Sequence, residues 1–215
     1  MSDRTQNAPP AHGMTGRFAP AIADATGRLA GVDPIARALA IGAAFADGEF
    51  RFAFLGMDAR VGFPTGACFL DGSPAGGTDT VLLLHYVLEG KDLAPLGWPR
   101  GRWISFREVP DAAAYFAAYQ SRGPALIARH FADRPEAFER AALALGARRA
   151  PDLPGVAFVL AALPRIALAL IFHEGEPGLP AEAQILFDAA APAIWRAEDL
   201  AVLGESAAAR LVGKG

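Results

Sequence analysis

Two apolar segments separated by only two residues constrain the fold of this chain more than any other feature. Residues 156–163 and 166–172 are almost entirely hydrophobic, and Pro164 and Arg165 lie between them. Apolar runs of this length are too short to span a bilayer and are typical of strands buried in a protein core. A polar turn follows, and residues 182–188 are predicted to form the next strand. Because connections this short join antiparallel neighbours, we expect an antiparallel sheet here.

A second group of strands is predicted nearer the start of the chain. Phe50, Phe52 and Phe54 alternate with other residues, which is the pattern of a half-buried strand. After a turn, residues 59–63 and 66–70 are expected to return as further strands of a small antiparallel meander. The phenylalanine side chains would then lie on its covered face.

Helical segments are predicted before, between and after these strands. They cover residues 22–30, 34–46, 80–88, 111–119, 123–131, 134–145 and 198–211. Helices and strands therefore occur in blocks, which favours an α+β domain over a doubly wound parallel sheet. We predict an antiparallel sheet of about five or six strands packed with several helices.

The composition supports one domain with a separate N-terminal segment. Of the 215 residues, 53% are hydrophobic, which is ample for a buried core. Residues 1–20 are polar and aperiodic, and we predict that they form a disordered tail ahead of a single domain at residues 21–215. The tail has no apolar run of the kind found in secretory signals, so a cytoplasmic location is expected.

Charge and cysteine content exclude several classes of function. The formal net charge is −3 and the basic residues are scattered singly, whereas nucleic-acid-binding proteins carry a basic stripe. The single cysteine, Cys68, leaves no internal disulfide and no cysteine-ligated iron–sulfur cluster. The sequence also lacks the P-loop, Rossmann, serine-hydrolase and zinc-protease motifs. We therefore expect neither nucleic-acid nor membrane binding, and we assign no catalytic or metal-ligating residue.

The densest group of polar residues in an apolar region lies at residues 185–205. Asp188 ends a predicted strand, and Glu198 and Asp199 open the following helix. The three carboxylates could converge on a cation or act as an acid–base pair. Alternatively, acids in the first turn of a helix stabilise its dipole, and Asp188 can tie down the loop through an Asx-type hydrogen bond.

Two further candidates lie outside that region. His85, in an apolar helix, could serve as a haem ligand or proton donor, or form a structural hydrogen bond at the helix edge. In an extended strand, Trp103, Ser105 and Arg107 would share one face. That face suits an anionic or planar ligand, although Arg107 could equally form a structural ion pair.

Arg165 is a charged residue placed between two apolar strands. Its guanidinium could stay in solvent at the sheet edge, or it could reach Asp188. In the second case Arg165, Arg107 and Asp188 would form one polar cluster, which is a hypothesis about contacts between distant parts of the chain.

Six motifs occur along the chain in an order that points to one family. They are LLLHYVL at 82–88, GRWISFREVP at 101–110, DRPEAFERAALALGA at 133–147, LPRIALALIFHEGE at 163–176, ILFDAAAP at 185–192 and EDLAVLGE at 198–205. Together they resemble the bacterial and archaeal family DUF3786, a domain of unknown function. The resemblance extends over most of the chain and implies the same domain from its N-terminal hairpin onward.

The resemblance also implies a context and marks one departure. Family members occur mostly in anaerobes and facultative bacteria, and some are fused to iron–sulfur or corrinoid-protein modules of one-carbon metabolism. Where relatives read APHYLPTEDLAVLGE, this chain reads APAIWRAEDLAVLGE. It therefore lacks the His-Tyr pair, and Ala197 replaces a helix-capping Thr. Loss of that cap is expected to cost the helix about 1 kcal/mol unless Asp199 takes its place.

Three functions follow as hypotheses. The leading one is a non-catalytic ligand- or cofactor-binding protein, or an accessory protein of a metalloenzyme or redox system, with the cofactor unknown. The second is an enzyme that uses Asp188, Glu198 or His85 for acid–base chemistry on a small ligand. The third is a subunit that recognises a partner protein through Trp and Phe side chains. The candidate ligand-binding residues are Asp188, Arg107, Arg165, Trp103, His85, Glu198 and Asp199.

Overall fold

Helices and two antiparallel sheets make up the part of the chain that the computed structural model describes, residues 16–93 and 101–215. The helices are α1 (Ala19–Leu29), α2 (Pro34–Ile41), α3 (Gly77–Glu89), α4 (Phe116–Arg122), α5 (Pro124–Phe131), α6 (Pro135–Ala144) and α7 (Ala197–Val212). The predicted α+β class is confirmed. The predicted tail lies mostly outside the described residues, and for residues 1–15 it stays a prediction.

The first sheet is a meander in chain order. Its strands are β1 (Ala44–Ala46), β2 (Glu49–Phe54), β3 (Met57–Gly62), β4 (Cys68–Leu70) and β5 (Ser73–Pro74). Phe50, Phe52 and Phe54 are buried as their alternation predicted. The helix predicted to reach residue 46 instead ends at Ile41, because Gly42 adopts a left-handed conformation that terminates it. The following residues are then free to form β1.

The second sheet contains the apolar hairpin. Its strands are β6 (Trp103–Ser105), β7 (Arg148–Arg149), β8 (Val156–Leu163), β9 (Ile166–His173) and β10 (Glu182–Asp188), in the spatial order β6-β10-β9-β8-β7. The predicted pairing of β8 with β9 is confirmed. Residues 168–172 of the central strand β9 are all buried, so both of its faces are covered. Burial on both faces explains why this strand reads as a continuous apolar run.

Helices α4 to α7 cover one face of the second sheet. In α6, the Phe138 ring stacks on Phe172 of β9 with centroids 5.3 Å apart, and Tyr119 of α4 lies 6.2 Å from Phe187 of β10. On the first sheet, Phe52 packs against Tyr86 of α3 at 5.3 Å. The two sheets therefore share one hydrophobic core. Helices α3 and α7 contact each other within the helical part of the domain.

A tight turn of the first sheet contacts a strand of the second sheet. Leu55 and Gly56 connect β2 to β3 with φ angles of 49° and 81°, as a type I′ hairpin turn requires. The Leu55 amide donates a 2.8 Å hydrogen bond to the carbonyl of Ala162 in β8. The side chain of Leu55 is fully buried, which offsets the unfavourable left-handed conformation of a non-glycine residue.

Gly56 provides a test of how closely this turn approaches the helical layer. A Cβ atom built at Gly56 would overlap the backbone carbonyl of Leu145, whereas one at Gly178 would meet nothing within 4 Å. Both glycines have positive φ, at 81° and 86°. We expect Gly178→Ala to lower the free energy of unfolding by about 1 kcal/mol and Gly56→Ala by about 3 kcal/mol or more. Urea denaturation of the two variants measures the difference, and equal losses would contradict the close approach.

Candidate functional site

His85 and Asp199 are hydrogen bonded to each other although 114 positions separate them in the sequence. The Nδ1 atom of His85 in α3 lies 2.8 Å from Oδ1 of Asp199 in the first turn of α7. The two side chains are 24% and 14% exposed, so the pair is partly shielded from solvent. Within the described residues, His85 makes no other hydrogen bond, and its Nε2 has no protein partner.

The surroundings of His85 favour its protonated form. Its pKa is raised above the ordinary value, chiefly by the hydrogen bond to Asp199 and also by the negative charges of Asp199 and Glu89. Partial burial and the positive charge of Arg28, 3.6 Å from Glu89, act in the opposite direction. An imidazole oriented by a carboxylate in this way can hold a proton at Nε2 and release it.

The same pair also has a structural role. Asp79 and Arg210 form a second ion pair between α3 and α7, with a separation of 2.8 Å, and the Arg210 guanidinium lies over the Phe54 ring. His85 and Asp199 therefore provide one of two polar links between these helices. Because its carboxylate contacts His85, Asp199 does not replace the missing cap, and residue Arg196 at the N-cap makes no side-chain capping bond.

Asp188 serves the loop that follows β10. The Ala190 amide donates a 2.8 Å hydrogen bond to Oδ1 of Asp188, which is an Asx-type turn, and the Asp188 side chain is buried. Across the sheet, Asp188 pairs with the half-buried Trp103 of β6. The structural alternative considered for Asp188 is therefore present in the molecule.

The hypothetical cluster of Asp188 with two arginines does not form. Arg165 lies at the same end of the sheet as Asp188, but its Nη2 is 3.9 Å from Asp92. Arg107 is held elsewhere, over the Phe116 ring. Within the described residues, neither arginine forms an ion pair or hydrogen bond with Asp188. The anchoring of Asp188 to its own loop explains the difference, because its buried carboxylate already accepts a backbone hydrogen bond.

The predicted face of Trp103, Ser105 and Arg107 is interrupted. β6 ends at Ser105, and Phe106–Glu108 forms a single 3-10 turn closed by a capping box between Ser105 and Glu108. In that box the Ser105 amide donates to the Glu108 carboxylate at 2.7 Å. Trp103 and Arg107 therefore do not share a strand face. The Arg107 guanidinium instead lies 3.7 Å from the centre of the Phe116 ring in α4.

The three carboxylates of residues 185–205 do not converge either. Asp188 binds its own loop and Asp199 binds His85, while Glu198 lies 3.5 Å from the hydroxyl of Tyr115. Among the described residues, no group of three or more His, Cys, Asp or Glu side chains is placed to hold a metal ion. Helix dipole stabilisation, capping of the loop and one histidine contact thus account for all three acids.

A cleft that contains Arg107 lies beside β10. It has a volume of about 380 Å³ and lies between the 182–186 segment of β10, the helices α4 and α5, and the turn that contains Arg107. β6 has only three residues and pairs only with the last three positions of β10. Among the described residues, no strand therefore pairs with the preceding part of β10 on this side, and the cleft follows that unpaired edge.

Tyr119 fixes the inner wall of the cleft and was not among the predicted residues. Its hydroxyl donates a 2.9 Å hydrogen bond to the Ile185 carbonyl, and its ring stacks on Phe106 with centroids 4.2 Å apart. Burial raises the pKa of the Tyr119 hydroxyl, so it remains a neutral donor. Gly204 in α7 makes room for this ring, because a Cβ there would lie 2.7 Å from it. The helical spacing of Tyr115, Phe116 and Tyr119 was the available signal.

The side chains of Cys68 and Trp195 are buried in the core. Burial raises the pKa of the Cys68 thiol to about 12, so Cys68 is a buried, unreactive thiol. Trp195 is 2% exposed and contacts Tyr86 edge to face, and its indole N–H has no partner in the described part of the chain. Neither residue lines the cleft.

Comparison with known proteins decides the family. A model described as Domain of unknown function (DUF3786) matches residues 33–210, which is most of the chain. The chain belongs to the DUF3786 family. The resemblance carried by its six motifs is therefore confirmed. Searches of curated proteins and of solved structures give no significant match. In the described residues of this DUF3786 domain, no helix is long and apolar enough to cross a membrane.

The His85–Asp199 pair makes a pH-dependent prediction for this DUF3786 domain. We expect Asp199→Asn to lower the pKa of His85 and to reduce the free energy of unfolding by about 1 kcal/mol near pH 6. Because the folded-state pKa of His85 is raised, this stabilisation is complete below the unfolded-state value of 6.5. It is lost as the pH rises through the folded-state pKa, so the loss caused by the substitution should shrink toward alkaline pH.

A matched variant separates this effect from a general weakening of the contact between α3 and α7. Asp79→Asn breaks the ion pair with Arg210, whose guanidinium stays charged throughout the range. Its effect on unfolding in urea should be constant between pH 5.5 and 9. An NMR titration of His85 in the same samples reports its pKa directly. A pH-independent loss in Asp199→Asn would contradict the assignment.

Proposed function

We propose that this DUF3786 protein is a non-catalytic binding protein, and that the cleft beside β10 is its binding site. The observation that carries the proposal is the position of Arg107. Its guanidinium rests on the Phe116 ring at the cleft, and no carboxylate within the described residues pairs with it. A planar guanidinium held by an aromatic ring suits the binding of a carboxylate or another planar anion.

The lining of the cleft supports binding rather than chemistry. Apart from Arg107, its polar side chains are Ser105, Tyr119, Gln120, Glu182 and Gln184, and the rest of the wall is apolar or backbone. Glu182 is exposed at the end of β10, and no histidine or cysteine lines the cleft. Such a mixture of apolar surface with a few polar groups is typical of sites that recognise a ligand.

The cellular role we infer is that of an accessory protein for a metalloenzyme or redox system. This context is the one that the family resemblance implies. The absence of a metal-ligating cluster in the described residues is compatible with a protein that assists such an enzyme without holding its cofactor. The ligand of the cleft and the identity of the partner enzyme are then separate questions.

A second candidate function is acid–base catalysis at His85. The 2.8 Å contact with Asp199 favours it, because an oriented imidazole with a raised pKa is the usual arrangement of a general acid. Its weakness is that His85 does not line the cleft. The two candidates thus place the ligand at different surfaces.

A fragment screen by NMR tests the binding proposal. We expect small aromatic carboxylates to shift the amide signals of Ser105, Phe116 and Gln184, and matched uncharged amides to bind at least tenfold more weakly. Arg107→Gln should weaken carboxylate binding at least tenfold, because it removes the charge. Arg107→Lys should recover only part of it, because lysine cannot make the planar bidentate contact.

Arg122→Gln is the control for that experiment. Arg122 lies at the end of α4, is 69% exposed and pairs with Glu205, away from the cleft. Its replacement should leave carboxylate binding unchanged. Fragments that shift only signals around His85 and Asp199 would favour the acid–base candidate, and a library without any binder at the cleft would overturn the proposed function.

A further inference from the structure

The open part of β10 has backbone groups directed toward the cleft. The Ala189 amide donates to the carbonyl of Arg102, which precedes β6, so the backbone of residue 189 points to the β6 side. In a strand, alternate residues direct their N–H and C=O groups to the same neighbour. Phe187, Ile185 and Ala183 therefore point to this side as well. β6 lies opposite Phe187, but it has ended before reaching Ile185 and Ala183.

One of the backbone groups of β10 that point to the β6 side already has a hydrogen-bond partner. The Ile185 carbonyl accepts the hydrogen bond from the Tyr119 hydroxyl. The Ile185 amide and both backbone groups of Ala183 remain directed at the cleft, and both residues line it. An unpaired strand edge of this kind is the usual template for adding an extended peptide as a further strand.

Helix α5 forms one wall of the cleft. It presents Pro124, Ala125 and Ala128 to the cleft, which are small side chains at helical spacing. Pairing with the same edge of a second copy would bring a second α4 and α5 against this wall, whereas a single extended segment brings no such bulk. A peptide is therefore favoured over a symmetric dimer.

The charged residues at the two ends of the unpaired edge predict the orientation and the composition of the peptide. Arg107 lies near the end of the open edge where Ser105 pairs with Leu186, and Glu182 lies at the other end. Leu186 and Glu182 are four positions apart in the strand, a distance of about 13 Å. An acidic side chain near Arg107 would complete the interaction of its guanidinium, and an acidic side chain beside Glu182 would be repelled.

We propose that the cleft binds an extended segment of a partner protein that adds to β10 as a strand and places an acidic side chain at Arg107. This inference rests on the proposed function, since it names the class of ligand for the same cleft. Main-chain hydrogen bonds to Ala183 and Ile185 provide binding, and Arg107 provides selectivity for the acidic residue. The small residues of α5 limit the side chains that the peptide can carry on its inner face.

A selection from random nonapeptides displayed on phage, followed by synthesis of the selected peptides, tests this inference with the full-length protein. We expect sequences with Asp or Glu at a fixed position near one end. Arg107→Gln should weaken their binding at least tenfold, while Arg122→Gln leaves it unchanged. The bound peptide should shift the amide signals of Ala183 and Ile185.

N-methylation of the peptide tests the strand pairing itself without altering the protein. Because only alternate residues of an added strand face β10, N-methyl groups at one alternating set of positions should weaken binding at least tenfold. The other set should change binding by less than about threefold. Equal effects of the two sets, or signal shifts confined to another surface, would overturn strand addition. Amidation of the peptide's C-terminal carboxylate should change binding less than replacement of its Asp by Asn. The opposite order would also overturn the proposal.

The two proposals fail in different ways. If carboxylate fragments bind at Arg107 but no peptide is selected, the cleft is a site for small anions and the peptide inference is wrong. If neither fragments nor peptides bind there, both the proposed function and the peptide inference are wrong. Selected peptides without a common acidic position would contradict the role assigned to Arg107.

Discussion

The hydroxyl group of Tyr86 is the polar contact on which the packing of the two sheets depends. It donates a 2.7 Å hydrogen bond to the Ile41 carbonyl at the end of α2 and accepts one of 3.0 Å from the Arg165 amide in the β8–β9 turn. Its ring contacts Phe52 of the first sheet and Trp195 ahead of α7. Loss of the hydroxyl would leave buried backbone groups without partners, which is more costly than loss of the bond alone. A single side chain thus connects α2, α3, both sheets and the entry to α7.

The sequence predicted strands well wherever burial alone decides the structure. β8 and β9 were predicted almost to the residue. For β9 the reason is that a strand covered on both faces must be apolar throughout. The alternation from Phe50 to Phe54 likewise reported a sheet with one covered face. The division of the strands into two sheets could not be predicted, since it depends on contacts such as the Leu55–Ala162 hydrogen bond between distant segments.

The candidate site was predicted less well, for a related reason. The sequence identified residues capable of chemistry but could not identify their partners, and partners decide what each residue does. Asp188 is committed to the adjacent amide of Ala190, whereas Asp199 contacts His85 on another helix. Arg107 contacts Phe116 rather than the strand neighbours Trp103 and Ser105 that the sequence suggested. Such contacts follow from tertiary packing, which no local spacing specifies.

The cleft itself originates in a local feature that is visible in the sequence. Ser105 and Glu108 have the spacing of a capping box, and their reciprocal hydrogen bonds turn the chain out of the sheet after three residues of β6. Had β6 continued, residues opposite Ile185 and Ala183 would have closed the edge of β10. Because the chain turns away instead, Arg107 is carried onto Phe116 and the edge stays open beside α5. The same short motif therefore both leaves this part of the strand edge without a strand partner and places a cation at its end.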